Sequence, residues 1–289
     1  MLAKTALDPR RNAYRDDIAA EALRGCVSAP RYVTGEVRQV VHAATGLWTR
    51  AGSDEGWTTQ ALHGELVTVY DERDGWAWVQ LAHDRYVGYV RAEALSPQIS
   101  TATHRVLVPG TFLYAVPDAK ALTGLNLSMN ALVRVVEMGP SFARLADGSF
   151  VPARHLADVR QFASDFVAVA EQFVGTPYVW GGKTRLGLDC SGLVQVAMQA
   201  AGLDCPRDSD MQRAELGTPL AVREDLGGLQ RGDLIFWKGH VGILTDATTL
   251  LHANAHHMAV AAEPLRVAVD RVARSGSAIA AIKRIEPGR

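Results

Sequence analysis

The sequence has few cysteines, little net charge and no long apolar run. Its three cysteines, Cys26, Cys190 and Cys205, are odd in number and widely spaced, which excludes a disulfide framework and a cysteine zinc-ligand set. A net charge of −1 gives no strong field that would recruit nucleic acid or an anionic membrane. No apolar stretch approaches the roughly 20 residues that cross a bilayer. We therefore expect no nucleic-acid partner and no membrane partner.

The first 25 residues also lack the apolar core of a secretory signal, because charged side chains interrupt them throughout. We therefore expect a cytoplasmic protein. The chain has 289 residues, of which 48% are hydrophobic and 21% charged, as in an ordinary globular protein of two or three domains. Residues 1–30 are predicted to form an N-terminal arm with one short helix at about residues 16–23. Nothing in this arm could form a core alone, so it should pack on the domains that follow.

An internal repeat covers most of residues 31–159. Each copy alternates apolar and polar residues around short turns, a pattern typical of β-strands. The corresponding segments are 47–49 with 113–115, 66–69 with 132–135, 76–79 with 142–145, and 89–95 with 150–156. The repeat predicts two small all-β barrels of about 60 residues each, at residues 31–99 and 100–159.

Residues 160–289 are predicted to form an α+β domain, because helical patterns come first and strand patterns follow. We expect helices at residues 161–174 and 190–201, then a loop at residues 205–212. The expected strands lie at residues 233–237, 240–245, 250–253 and 278–285.

Cys190 is the candidate nucleophile. A glycine-rich loop precedes it, and it falls in the first turn of an amphipathic helix that Asp189 or Ser191 could cap. The positive end of the helix dipole favours the thiolate, which is the form that attacks carbonyl groups. The alternative is a buried structural cysteine, which is the commoner fate of a lone cysteine.

Two histidines are placed to serve this cysteine. His240 opens one predicted strand and His252 lies in the next, and facing side chains of neighbouring antiparallel strands are about 5 Å apart. A nucleophilic cysteine needs a base within hydrogen-bond reach, and that base needs an orienting partner. A structural or solvated role is the alternative for either histidine alone, but the combination with Cys190 favours catalysis.

Together these motifs resemble the NlpC-type (NlpC/P-sixty) papain-like cysteine peptidases, bacterial enzymes that cut cell-wall peptides. The resemblance covers residues 160–289. The matching motifs are Tyr178-x-Trp180-Gly181-Gly182, Asp189-Cys190-Ser191-Gly192-Leu193, Arg207-x-Ser209-x-x-Gln212, Gly232-Asp233-Leu234, His240-Val241-Gly242-Ile243 and His252-Ala253. The repeat resembles tandem bacterial SH3-like domains. The implied fold is therefore multidomain: two small all-β SH3-like barrels followed by an α+β papain-like peptidase domain.

The resemblance implies a role for each catalytic residue. Cys190 would be the nucleophile, His240 the general base and His252 the third, polar member. The Tyr178 phenol and the Cys190 backbone N–H would stabilise the oxyanion; plain core packing is the alternative for Tyr178. This chemistry needs no cofactor and no metal, and the sequence shows no metal-ligand cluster, with His256 and His257 read as a solvated loop pair.

Two SH3-like barrels before such a peptidase resemble the γ-D-glutamyl-diamino-acid endopeptidases of murein turnover. These enzymes cut L-Ala-γ-D-Glu↓diaminopimelate (or lysine) peptides that carry a free N-terminal alanine. The residues implied to bind the murein peptide are Asp208 at the alanine amine, Ser209, Asp189 and Ser191 along the peptide, Trp180 at the wall of the cleft, and Tyr86 with Glu55 from the first barrel. For Tyr86 and Glu55 an ordinary surface-loop role is the equal alternative. Carboxylates around the amine would exclude acylated substrates, which predicts recycling of released peptides.

Two other functions remain open on the sequence. The SH3-like barrels could bind intact peptidoglycan, with the protein acting as a wall hydrolase or a wall-binding module. Alternatively, an amine could capture the thioester in place of water, which would make the protein an amidase or acyltransferase on the same fold.

Overall fold

In a computed structural model, the described part of the chain runs from residue 7 to residue 286. The chain divides into two units, Met1–Val159 and Arg160–Arg289. Residues 1–6 of the predicted arm and 287–289 of the last predicted domain lie outside the described residues. Within residues 7–286, no helix combines the length and the apolar character needed to cross a membrane.

The N-terminal arm forms strands instead of the predicted α-helix. Strands β1 (Tyr14–Arg15), β2 (Ile18–Ala20) and β3 (Tyr32–Val33) make a small sheet, and a single 3₁₀ turn follows β2 at Glu21–Leu23. The prediction of a helix at residues 16–23 is wrong because Ile18 and Ala20 extend to pack against Trp78. Burial against the barrel outweighs the local helical preference, as tertiary contacts often do in short segments.

The rest of the first unit is made of short strands around two separate apolar cores. The strands around the first core are β4 (Glu36–Val40), β5 (Ala44–Leu47), β6 (Thr59–Leu62), β7 (Leu66–Arg73), β8 (Trp76–Leu81), β9 (Val87–Arg91) and β10 (Leu95–Ser96). Those around the second are β11 (His104–Val106), β12 (Gly110–Tyr114), β13 (Thr123–Ser128), β14 (Leu132–Val133), β15 (Val135–Met138), β16 (Phe142–Leu145), β17 (Phe150–Pro152) and β18 (Leu156–Asp158).

The strand pairing of the two copies agrees with the predicted repeat. Trp48 forms an antiparallel bridge to Tyr89 in the first copy, and Tyr114 pairs with Phe150 at the equivalent place in the second. The copies differ at one strand, because the counterpart of the long β7 is divided into β14 and β15. The two all-β parts and the domain that follows confirm the predicted fold class.

The second unit contains four helices and a six-stranded antiparallel sheet in its described residues. The helices are α1 (Phe166–Glu171), α2 (Cys190–Ala200), α3 (Ser209–Glu215) and α4 (Leu265–Arg274). A small hairpin, β19 (Lys183–Thr184) and β20 (Gly187–Leu188), precedes α2. The sheet strands are β21 (Thr218–Leu220), β22 (Leu234–Trp237), β23 (His240–Leu244), β24 (Thr249–Asn254), β25 (Ala259–Pro264) and β26 (Ala281–Arg284), in the order β21-β26-β22-β23-β24-β25.

Two sequence predictions need correction here, and one pair of elements was missed. The helix expected at residues 161–174 is limited to α1, because the Asp165 side chain accepts a hydrogen bond from the Val167 N–H and so caps the helix there. The loop expected at residues 205–212 gives way to α3 from Ser209 onward. The pair formed by β25 and α4 was not predicted. Both elements border the candidate site, since β25 pairs with β24 and α4 follows β25 directly.

Helix α2 is central to this unit. Ten of its 11 residues are buried, and it packs on β23 and β24. Helix α4 contributes Leu265 and Ala268 to an apolar cluster that also contains Trp237 and Leu250. The packing of α2 on β23 and β24 holds the helix against the two strands that carry His240 and His252.

Candidate active site

The N-terminus of α2 holds Cys190 in a rigid position. Asp189 caps the helix, since its Oδ1 accepts from the Gly192 N–H at 2.7 Å, and its Oδ2 accepts from the Gly181 N–H at 2.7 Å. Gly192 has no room for a side chain, because an added Cβ would collide with the backbone oxygen of Gly182. The glycine-rich approach therefore packs directly against the first turn of the helix and orients Cys190.

A buried ion pair supports the same turn. Arg207, only 1% exposed, donates from Nη2 to Asp189 Oδ2 at 2.7 Å and from Nη1 to Asp189 Oδ1 at 3.0 Å. Nη1 also donates to Ser191 Oγ at 2.8 Å. From α3, Gln212 Nε2 donates to the Ser191 carbonyl oxygen at 2.9 Å. The loop before α3 is thus bonded to the residues on both sides of Cys190.

The two histidines are in direct contact. His240 Nε2 lies 2.8 Å from His252 Nδ1, and His252 Nε2 lies 2.8 Å from Glu263 Oε1 on β25. His252 is buried and His240 is half-buried, with the Trp237 ring packed 5.7 Å from the His240 ring. The predicted contact between neighbouring strands is present, and the pairing of β23 with β24 produces it.

The sulfur of Cys190 lies beside the start of β23. The backbone N–H groups of Val241 and Ser191 donate to it, which places the sulfur next to the residue that follows His240. Burial raises the pKa of Cys190 to about 12, and the charge of Asp189 adds to this rise. Burial lowers the pKa of His240 to about 3. Each group alone is therefore uncharged at neutral pH, and a thiolate would be stabilised only together with an imidazolium.

Two donors are available for an oxyanion near this sulfur. The N–H of Cys190 is at the first position of α2, where no acceptor exists within the helix. Tyr178 is half-buried; burial raises its pKa to about 12, with further contributions from Cys190 and Asp189. The phenol therefore keeps its proton at any physiological pH and can donate a hydrogen bond.

Both units of the chain are similar to known proteins. Residues 175–271 match the NlpC/P60 family, and residues 47–95 match the bacterial dipeptidyl-peptidase Sh3 domain. The gamma-D-glutamyl-L-lysine dipeptidyl-peptidase of Bacillus subtilis is 31% identical over 222 residues, which cover 68% of this chain and 71% of that protein. The chain belongs to the NlpC/P60 family. It is a cysteine peptidase.

Two further relatives extend the comparison. Dipeptidyl-peptidase 6 of Lysinibacillus sphaericus is 31% identical over 189 residues, and the alignment covers 64% of this chain and 66% of that protein. The alignments thus span about two thirds of the length of these curated relatives. The crystal structure of an NlpC/P60 family protein from Bacillus cereus superposes with a TM-score of 0.72 at 22% identity, covering 87% of this chain and all of that one, which supports the fold.

The residues predicted to bind substrate in this NlpC/P60 domain fall into two groups. Trp180 is 66% exposed, and Asp208 and Ser209 are half-buried at the start of α3, so these three are accessible to a ligand. Asp189 and Ser191 are buried, and their side-chain oxygens bond Arg207 and the backbone of α2. These side chains stabilise the helix start and pair with the buried guanidinium, and a further contact of either residue with the substrate stays a prediction.

The remaining predicted contacts, Tyr86 and Glu55, belong to the first unit. Tyr86 is 4% exposed and packs in the core of the first barrel, which favours a structural role for most of its ring. Glu55 lies on an exposed turn before β6, where its backbone N–H donates to Ser53 Oγ at 3.1 Å. A role for either residue in amine recognition stays a prediction.

Two residues at this NlpC/P60 site were missed from the sequence, Glu263 and Arg271. Arg271 Nη1 donates to Glu263 Oε2 at 2.6 Å, and its Nη2 donates to Oε1. The signal for the helix that carries Arg271 was present, since Leu265, Ala268 and Val272 recur at helical spacing.

His252, His257 and Glu263 converge closely enough to suggest a metal site. The guanidinium of Arg271 already lies against both oxygens of Glu263, and it would repel a cation at that position. His257 Nδ1 also lies 3.0 Å from the Asn254 side-chain oxygen. The donor set therefore fits a hydrogen-bonded network better than a metal.

Proposed function

We propose that the protein is a γ-D-glutamyl-L-diamino-acid endopeptidase that cuts murein peptides with a free N-terminal L-alanine, at the bond between γ-D-glutamate and diaminopimelate or lysine. The observation that carries the proposal is the 2.8 Å contact between His240 and His252 beside the sulfur of Cys190. The Bacillus subtilis and Bacillus cereus relatives are named gamma-D-glutamyl-L-lysine dipeptidyl-peptidases, which supports the choice of bond.

Hydrolysis would proceed in two steps. His240 takes the proton of the Cys190 thiol as the sulfur attacks the γ-glutamyl carbonyl carbon, and a C–S bond forms. The tetrahedral oxyanion receives hydrogen bonds from Tyr178 and the Cys190 N–H. His240 returns the proton to the leaving amine as the C–N bond breaks, which is worth roughly 10²–10⁴-fold in rate. Water, deprotonated by His240, then cleaves the thioester and restores the thiol.

Recognition of the free amine is assigned to Asp208. An ammonium group in a partly dry cleft needs a carboxylate partner, and Asp208 is half-buried at the start of α3, one residue after the buried Arg207. Ser209 and Trp180 would contact the peptide beside it. A site that selects a free amine acts on released peptides, which is why we place the enzyme in peptidoglycan recycling in the cytoplasm.

Mass spectrometry of the products from two matched tripeptides tests the proposal. L-Ala-γ-D-Glu-diaminopimelate with a free amine should be cut to L-Ala-γ-D-Glu, whereas the N-acetylmuramoyl-linked form should be cut at least 10²-fold more slowly, because its acylated amine carries no charge for Asp208. The rate for the same free tripeptide with lysine in place of diaminopimelate shows which diamino acid the enzyme prefers. Added amines should not appear in the products, whereas an acyltransferase would transfer the acyl group of the thioester to the amine.

Asp208→Asn provides a matched test of the amine site. It should reduce the preference for the free over the acylated peptide, whereas Asp210→Asn, a change of the same type at an exposed position of α3, should leave that preference unchanged. Equal cleavage of both peptides by the unaltered enzyme would reject amine selection.

Tyr178→Phe tests the oxyanion assignment. Loss of one preorganised donor should lower kcat by roughly 10²–10³-fold, with little change in KM, because the hydrogen bond forms mainly in the transition state. Phenylalanine keeps the ring and its packing. Steady-state kinetics on the free tripeptide give both constants, and a kcat within threefold of the parent value would remove Tyr178 from the oxyanion site.

A further inference from the structure

A carboxylate and a guanidinium lie behind the two histidines in a continuous series of hydrogen bonds. The order is Arg271, Glu263, His252 and His240, with His252 Nε2 to Glu263 Oε1 at 2.8 Å and His240 Nε2 to His252 Nδ1 at 2.8 Å. His252 is 2% exposed and Glu263 is 8% exposed, so water does not compete for these bonds. Glu263 lies on β25 diagonally across from His252 on β24, where side chains of paired strands can meet.

We propose that Glu263, held in place by Arg271, is a positioning residue that fixes the tautomers of His252 and His240 and so directs the basic nitrogen of His240 to Cys190. The inference rests on the proposed function, since it assumes that His240 serves as the base for Cys190. It adds an acidic residue and its arginine to the four predicted catalytic residues, Cys190, His240, His252 and Tyr178.

The direction of each hydrogen bond follows from the charge on Glu263. The hydrogen bond from Arg271 is the largest cause that lowers the pKa of Glu263 to about 2, so this side chain is an ionised carboxylate and only accepts. His252 must therefore donate from Nε2. A neutral imidazole has one N–H, so His252 Nδ1 accepts and His240 must donate from Nε2.

This arrangement leaves the lone pair of His240 on Nδ1. Because Nε2 is bonded to His252, Nδ1 is the ring nitrogen that remains for the thiol of Cys190. The opposite set of tautomers would place a proton on Nδ1, and His240 could not then accept the thiol proton. A carboxylate that accepts a hydrogen bond from His252 stabilises only the tautomers in which His252 and His240 both carry their proton on Nε2.

The charges around the histidines also favour a role for Glu263 when His240 is protonated. Burial is the largest cause that lowers the pKa of His240, followed by the charges of His252 and Arg271. Asp189 and Glu263 act in the opposite direction and stabilise the imidazolium. Burial is also the largest cause that lowers the pKa of His252, and Arg271 and His257 lower it further. Glu263 raises the pKa of His252.

Glu263→Gln tests the proposal directly, because glutamine keeps the size of the side chain but can donate as well as accept. We expect kcat to fall by roughly 10²-fold with little change in KM. An acid that fixes the tautomer of the base by direct contact contributes about 10⁴-fold to kcat, and we expect a smaller effect because His252 lies between Glu263 and His240. Long-range ¹H–¹⁵N spectra of the imidazoles should show the Nε2–H form of His240 in the parent and a mixture in the variant. Glu171→Gln, which removes another arginine-paired carboxylate from the same domain, should change neither.

Arg271→Gln is the second variant, and it keeps Glu263 itself. At neutral pH kcat should fall, but by less than in Glu263→Gln, because Glu263 is still ionised although Arg271 no longer holds it in place. Its pKa should return towards the ordinary value of 4.5, so protonation on acidification should abolish activity at a higher pH than in the parent. A residue that served packing alone would give no such shift in the acid limb of the pH profile.

The rate of Cys190 alkylation by iodoacetamide provides a readout that needs no peptide. Glu263→Gln should slow it by at least tenfold at pH 7. If the parent enzyme fails to cut the tripeptide, the proposed function fails, and the alkylation rates and tautomer spectra still decide the role of Glu263. Parent-like tautomers and alkylation in folded Glu263→Gln, or an unshifted acid limb in Arg271→Gln, would overturn the inference.

Discussion

Cys190→Ala should abolish hydrolysis of L-Ala-γ-D-Glu-diaminopimelate, with a loss of at least about 10⁴-fold in kcat, because no other group at the site can form the acyl intermediate. The fold should be retained, since alanine at the first position of α2 leaves the Asp189 cap and the Arg207 ion pair intact. Product formation measured by mass spectrometry, with circular dichroism as the test of folding, gives both results.

Cys205→Ala is the matched control for this prediction. It removes the other buried thiol of the same domain, whose sulfur contacts Gln212 and the Pro206 carbonyl. This variant should keep hydrolysis close to the parent rate. Measurable turnover by Cys190→Ala, at a rate comparable with that of Cys205→Ala, would reject Cys190 as the nucleophile and with it the proposed mechanism.

The parts of this site that could be predicted are those with local signals. The glycine-rich approach and the acidic residue before Cys190 mark a capped helix start, and α2 begins at Cys190 as expected. His240 and His252 were paired by strand order, because β23 and β24 follow each other along the chain and pair antiparallel. These signals depend on residues close together in sequence, so no tertiary information was needed to read them.

The residues that were missed depend on contacts between distant segments. Asp189 was predicted as a cap and as a substrate ligand, but its ion pair with Arg207, which lies 18 residues further along the chain, was not predicted. The substrate contact stays a prediction. Glu263 was missed because β25 and α4 were not assigned, so nothing placed an acid beside His252. When the surrounding segment has no assigned structure, a buried charged side chain cannot be distinguished in the sequence from a solvated one.

Asp189→Ala should strongly destabilise the second unit. The change leaves the guanidinium of Arg207, which is 1% exposed, without its carboxylate partner, and loss of one partner from a buried pair costs about 3–5 kcal/mol. The cap on α2 is lost as well. Hydrogen–deuterium exchange of the α2 amides measures the free energy of unfolding of this unit alone, and it should fall by about that amount.

Two further variants make this prediction specific to the buried charge. Asp225→Asn removes the partner of Arg223 in an ion pair whose side chains are 61% and 64% exposed, so it should leave the exchange of the α2 amides unchanged. Asp189→Ala combined with Arg207→Leu should be less destabilised than Asp189→Ala alone, because no uncompensated guanidinium remains. If the single and double variants were equally unstable, the stabilisation would come from the helix cap, and the motif residue Arg207 would need another explanation.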